Sequence, residues 1–172
     1  PKIIAGKQQV SFAYSEVQSR FDLEDISTTA REEKGKFIIN GQKSMVLNAE
    51  SAGKVIIVAR TNGNQVDKKG ISLFLVDSDS KGLTMENFPT VDGLRASEIE
   101  LKEVSVEEAR LLCTIDEGFE ILEQVINDAI LAISAEAVGA MEILYKDTVE
   151  YTQQREQFGH PLSDFQVLQH RM

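Results

Sequence analysis

The sequence predicts an α+β protein of more than one domain, an antiparallel β-barrel or β-sandwich followed by the first helices of an α-helical bundle. Three observations lead there. Short apolar runs separated by turn formers fill the chain to about residue 106, and frequent short strands of this kind belong to barrels and sandwiches. After Asp116-Glu117-Gly118, Phe119, Leu122, Ile126, Ala129, Ile133, Ala137 and Met141 recur at steps of three and four, the spacing of an amphipathic helix. No proline interrupts that pattern before Pro161. The change of period near residue 110 sets the expected domains at 1–112 and 113–172.

In chain order, the expected strands are Val10–Tyr14, Ile26–Glu32, Lys36–Gln42, Ser44–Leu47, Lys54–Thr61, Ile71–Val76, Leu83–Asn87 and Ala96–Leu101. Lys34-Gly35, Asn40-Gly41, Asn62-Gly63-Asn64, Lys69-Gly70, Lys81-Gly82 and Asp92-Gly93 punctuate them, because Gly and Asn tolerate positive φ. Val55–Ala59 and Ile71–Val76 are apolar enough to be central strands covered on both faces. The helix that follows runs for roughly 35 residues, about 50 Å, and cannot bury its apolar stripe without neighbours. At its end, a helix carrying Tyr151 and Arg155 is expected to stop at Gly159, with Pro161 blocking continuation and Ser163 or Asp164 capping a new helix. Arg155 and Phe158 then sit at a helix junction. A guanidinium beside unpaired helix N–H groups suits an anionic, partly aromatic ligand, and the same spacing also describes an ordinary helix turn with a solvated arginine.

Composition narrows the function classes. With 172 residues, 42% of them hydrophobic, the chain can bury a core. Its net charge of −10 argues against nucleic acid or an anionic membrane as a general partner. The single Cys113 forms no internal disulfide, no apolar run approaches the roughly 20 residues of a membrane span, and a cytoplasmic protein is expected. His160 and His170 stand alone and no metal-type cluster is present, so no metal is expected. The opening at Pro1 and the stop at Met172 inside a helical pattern read as a piece of a longer protein.

The tail Tyr151…Arg155-Glu-Gln-Phe158-Gly159-His-Pro161-Leu162…Phe165-Gln166…Gln169 resembles the C-terminal-domain signature of acyl-CoA dehydrogenases, Y-x3-R-x-Q-F-G-x-P-L-x2-F-Q-x2-Q. Phe37-Ile-Ile-Asn40-Gly41-Gln-Lys43 is similar to the hairpin Y-x-L-N-G-x-K of that family, and Val55–Thr61 with Gly70–Asp77 to its V-V-x-A-R-T…G-I-S-x-F-L-V strands. Gly93-Leu-Arg95-Ala-Ser97 and Gly118-Phe119 extend the likeness, which covers roughly residues 10 to 172.

The resemblance implies FAD between the β-domain and the C-terminal helices, partly held by a neighbouring subunit. The family's flavin-contacting segment L-[ST]-E-P falls on Phe12-Ala13-Tyr14-Ser15-Glu16, with Ser15 at the hydroxyl position. A strand-end serine bonding its own backbone is the other reading of Ser15. The family's K-x-W-[IV]-[ST]-N reads here Lys43-Ser-Met45-Val46-Leu47-Asn48, so Met45 replaces the covering Trp and Leu47 lacks the hydroxyl donor. The acyl-CoA loop P-x-A-G-S-D is replaced by Val17–Asp22, which contains Phe21, and D-x2-R is replaced by Asn127…Ile130. In the tail, Arg155 is implied for the pyrophosphate, Gln166 for the adenosine side and Phe158 for packing against the cofactor. The catalytic base of the family lies outside the matched motifs. What is implied is α,β-dehydrogenation of an acyl-CoA thioester in a homo- or hetero-oligomer, a tetramer of the family type, with an electron-transfer flavoprotein as acceptor. The wording is most similar to small subunits of bacterial pimeloyl-CoA-type dehydrogenases. A non-catalytic assembly subunit that donates FAD contacts across an interface, and a flavin monooxygenase or nitro-group oxidase of the same fold, are the alternatives.

Overall fold

The computed structural model of the chain describes residues 2–172. Seven strands form one curled, mixed sheet: β1 (Val10–Ala13), β2 (Thr29–Glu33), β3 (Lys36–Leu47), β4 (Lys54–Arg60), β5 (Ile71–Asp77), β6 (Leu83–Pro89) and β7 (Arg95–Glu107). β3 pairs with β2 on one edge and β7 on the other, and β6 flanks β7. One edge of β4 is covered along its length by β5, and the other is shared end to end by β1 and β2.

The β-rich half appears as expected, with changes in detail. Four pairings are antiparallel, but β4 runs parallel to both β1 and β2. The β2–β3 hairpin lies between β1 and β4 in the chain and supplies the long crossover that a parallel pair requires. The two strands expected at Lys36–Gln42 and Ser44–Leu47 are one strand. Its register slips between Lys43 and Val46, where Met45 takes φ 55° and forms a bulge instead of a turn. A second slip, opposite Ile39–Gly41, lets β7 continue past Leu101 with Glu103 at φ 52°. Ile26 is buried, yet it lies in a loop, and β2 begins only at Thr29.

The concave side of the sheet closes on Ala13, Phe37, Ile39, Val46, Val55, Ile57, Phe74, Ile99, Leu101 and Val104. β4 and β5 supply its centre, as their apolar runs predicted, and the Phe37 and Phe74 rings meet at 5.0 Å. Beyond β7, Leu112 donates its N–H to the Leu73 carbonyl and Gly70 donates to Asp116, so this segment runs along the free edge of β5.

The helical expectation is met by α1 (Gly118–Gln154), 37 residues long. Gly118 is required by close approach, since a Cβ there would lie 2.3 Å from Leu73 Cδ1. Phe119 and Leu122 are buried, whereas Ile130, Ile133 and Met141 further along are 56%, 66% and 59% exposed. The chain separates into two compact units, one ending at Glu123 and one beginning at Gln124. The second continues from α1 into a minimal hairpin, β8 (Glu156–Gln157) and β9 (His160–Pro161), and a single turn α2 (Gln166–Gln169).

Candidate cofactor site

In the β-unit, the residues singled out around Ser15 and Met45 come together through backbone contacts. Phe12 and Tyr14 share the half-buried face of β1 and its continuation, their rings 5.3 Å apart, while Ala13 between them points into the core. Ser44 donates its N–H to the Ser15 carbonyl at 2.9 Å. The Ser15 hydroxyl, half-buried, has no hydrogen-bond partner among the described residues, so it does not bond its own backbone. Met45 and Leu47 project outward at 50% and 55% exposure, while the Val46 side chain between them is in the core and leaves only its backbone for a ligand. Glu98 on β7 holds this bulge, accepting from the Ser44 hydroxyl at 2.9 Å and from the Met45 N–H at 3.2 Å.

Beneath these residues lies an ion pair. Lys43 Nζ is 2.6 Å from Glu16 Oε1, with both side chains all but completely buried, and also donates to the Tyr14 carbonyl at 3.3 Å. Glu16 further accepts from the Ser27 N–H at 2.8 Å, the Ser27 hydroxyl, the Thr28 N–H at 3.1 Å and Gln18 Nε2 at 2.8 Å. The two backbone N–H groups, the Gln18 amide nitrogen and the Lys43 ammonium can only donate, which favours the ionised carboxylate. Burial alone would raise the Glu16 pKa, but Lys43, Ser27 and Gln18 outweigh it and hold it at about 2. Burial pushes Lys43 down to about 8 against the opposing pull of Glu16, so both are charged at neutral pH. Motif reading had quoted both residues without pairing them. The signal was strand parity: Phe37, Ile39 and Lys43 fall on one face of β3, and that face is the core.

Arg60, at the end of β4, was also missed. The residue is 6% exposed, and its guanidinium donates to five carbonyls: Ile26, Glu24, Asn62, Gln65 and Lys69. It thereby ties the 24–26 loop to the 61–70 loop. A groove lined by Asn62, Lys68, Asp116 and Phe119 borders the same loop and includes none of the candidate cofactor- or substrate-binding residues.

In the second unit the tail corrects its expectation. α1 stops at Gln154, so Arg155 lies outside the helix, and the turn is a two-residue β-hairpin closed by the Leu162 N–H on the Arg155 carbonyl. Phe158 at φ 58° and Gly159 at φ 86° both adopt the left-handed region that such a hairpin demands. Neither Ser163 nor Asp164 caps a helix: both belong to a single 3-10 turn, and α2 begins after Phe165 without a side-chain cap. Four residues are too few to gather N–H groups for an anion, so that element of the expected corner is absent. What remains is the side chains. Phe158 is 90% exposed at the hairpin tip, edge-on to Phe165 at 6.4 Å, and the Arg155 and Gln166 side chains are exposed without a protein partner among the described residues. Phe21, in the loop after β1, is 96% exposed, and Asn127 and Ile130 lie exposed on α1. No metal-type cluster occurs among the described residues. None of their helices is long and apolar enough to cross a membrane.

The first unit is thus a curled mixed sheet that carries the exposed Met45 and Leu47, and the second a helix and hairpin that carry the exposed Arg155, Phe158 and Gln166. The model of the acyl-CoA dehydrogenase middle domain matches residues 11–105, and that of the C-terminal domain matches residues 116–172. The chain belongs to the acyl-CoA dehydrogenase family. It is 30% identical to a 3-(aryl)acrylate reductase of Clostridium sporogenes over 99% of this chain and 46% of that protein. It is 32% identical to the mitochondrial long-chain specific acyl-CoA dehydrogenase of Sus scrofa, over all of this chain and 41% of that protein. A glutaryl-CoA dehydrogenase of Mycobacterium smegmatis, solved in complex with FADH2, superposes with TM-score 0.85 at 28% identity, over 99% of this chain and 43% of that one. The chain thus spans less than half the length of these relatives.

Proposed function

We propose that the full protein is an FAD-dependent acyl-CoA dehydrogenase that forms the α,β double bond of an acyl-CoA thioester, and that this chain supplies its β-domain, residues 1–112, and the first C-terminal helices. The observation that carries the reading is the tail: Arg155, Phe158 and Gln166 are exposed and unpartnered at the positions the family motif assigns to the cofactor. Arg155 offers a two-pronged donor to a pyrophosphate, Phe158 an aromatic face, and Gln166 an amide for the adenosine side. On the β-unit, the free Ser15 hydroxyl and the outward Met45 face the isoalloxazine, which when bound accepts the β-hydride. Leu47 contributes contact area but no donor. Phe21, Asn127 and Ile130 border the acyl-CoA. The apolar residues exposed along α1 support assembly with other subunits, and an electron-transfer flavoprotein is the proposed acceptor.

The test is the visible spectrum of the full-length protein, alone and with any partner subunit, before and after addition of an acyl-CoA. A yellow protein that bleaches, and an Arg155→Gln variant that loses flavin by roughly 10-fold or more in affinity, are expected. A protein colourless under both conditions, or flavin uptake indifferent to Arg155, refutes the reading. A second reading, an assembly subunit that lends Arg155 and Gln166 to a partner's flavin, is favoured by Leu47 and Ile130, which lack the polar groups of the family motif. Flavin uptake only in the mixed complex, without bleaching when the partner's own base is removed, supports it.

A further inference from the structure

We infer that Lys43 and Glu16 are positioning residues for the flavin-facing strip, holding the Tyr14–Glu16 backbone so that the Ser15 hydroxyl is presented to the cofactor; this rests on the flavin reading above. β1 ends its pairing at Ala13, and residues 14–19 have no strand partner to define them. Definition comes from β3. Lys43 takes the Tyr14 carbonyl and the Glu16 carboxylate, one on each side of Ser15, and Ser44 takes the Ser15 carbonyl itself. Glu16 then ties the same loop to Ser27 and Thr28, while its own N–H donates to the Ser19 hydroxyl at 3.1 Å. Neither charged side chain reaches the surface, so neither can touch a ligand. Apolar residues of similar volume often replace a buried ion pair without loss of stability, and the bonds that Lys43 and Glu16 make on both sides of Ser15 point to conformational definition as their role.

The design resembles the outer shell of other ligand sites, in which buried partners orient the group that makes contact. The same β3 segment that carries the pair continues directly into the Met45 bulge, which Glu98 fixes from β7. One strand thereby sets the height of the Ser15 loop and of the Met45–Leu47 face together.

The experiment compares the full-length wild type with Lys43→Met and Lys43→Arg. Amide exchange is followed by mass spectrometry in the flavin-free protein, FAD affinity by titration, and global stability by urea. Expected for Lys43→Met is exchange faster by roughly 10-fold in residues 14–19, with β4 and β5 still protected, and FAD binding weaker by a similar factor, as for loss of a supporting contact behind a ligand group. Lys43→Arg should recover part of both. Exchange that rises uniformly with the loss of global stability, or FAD affinity unchanged while residues 14–19 loosen, overturns the inference. Should Lys43→Met fail to fold, Ser27→Ala removes one donor to Glu16 and should loosen the same loop alone, by about threefold; no local change overturns the inference. A wild type that takes up no FAD in any complex defeats the flavin reading instead, and the exchange data then show separately whether the pair defines the loop.

Discussion

Arg60→Met is the most informative perturbation of the β-unit. The arginine uses all five of its N–H donors on carbonyl oxygens, from 2.8 to 3.3 Å, and all five partners lie outside helices and strands. Methionine fills a similar length of side chain and supplies none of the donors. Asn62, Gln65 and Lys69 are exposed residues whose carbonyls regain water when the guanidinium is gone, whereas Ile26 is buried and Glu24 partly so. A carbonyl left unsatisfied in the interior costs about 1–3 kcal/mol, so two of them set the loss at about 2–6 kcal/mol. Removal of a buried charge returns some of that, since burial already pushes the Arg60 pKa down against the pull of Asp67, Glu16 and Asp25. The net expectation is about 3 kcal/mol by urea denaturation, accompanied by faster amide exchange in the 24–26 and 61–70 loops. Arg60→Lys should fare little better, because an ammonium has three donors and cannot span carbonyls on two loops. A loss under about 1 kcal/mol, or loops that remain protected in the methionine variant, would refute the claim that Arg60 organises them.

Three further outcomes are expected. Glu16 is held at about 2 against an ordinary 4.5, so its contribution is complete above 4.5 and is lost as pH falls toward 2; Lys43, held at about 8 against 10.5, binds its extra proton only in the unfolded chain between those values, so stability rises with pH across that window. Urea midpoints across pH should show both limbs, with the acid limb flattened in Glu16→Gln and the alkaline rise missing from Lys43→Met. In Gly118→Ala the new methyl meets Leu73 and the Ile71 carbonyl, 2.9 Å away, and the cost of about 1–3 kcal/mol in thermal unfolding should exceed the roughly 1 kcal/mol that alanine gains in a helix. Leu47→Thr restores the hydroxyl of the family motif at a half-exposed position; stability should move by less than about 0.5 kcal/mol while FAD binding tightens by roughly 10-fold in titration, and unchanged affinity would remove residue 47 from the flavin contacts.

The alternation and turn chemistry of the first half made the strands legible, because Gly and Asn at turns and apolar residues at alternate positions act locally. The long helix was legible for the same reason. Pairing direction was not, since nothing local in Val10–Ala13 distinguishes a parallel from an antiparallel neighbour. The break expected at Lys43, between Gln42 and Ser44, is instead a bulge inside one strand, because a charged residue carries no mark of its burial and the pairing with β7 resumes at Val46. At the tail, the motif gave the identity of Arg155, Phe158 and Gln166, but a positive φ at Phe158 turned a helix junction into a hairpin. Lys43–Glu16 and Arg60 depend on partners up to 36 residues away, and charged residues in a sequence carry no mark of the water they lose on folding.

The end-to-end sharing of one β4 edge by β1 and β2 bears on how the chain can be handled. Val55, Ile56 and Ile57 are shielded on that side only by the four residues Val10–Ala13. A chain trimmed from the N-terminus as far as residue 9 keeps that cover. Four residues more, and an apolar strand with free N–H and C=O groups lies open to any passing strand, so a tendency to aggregate would set in across a very short stretch of sequence.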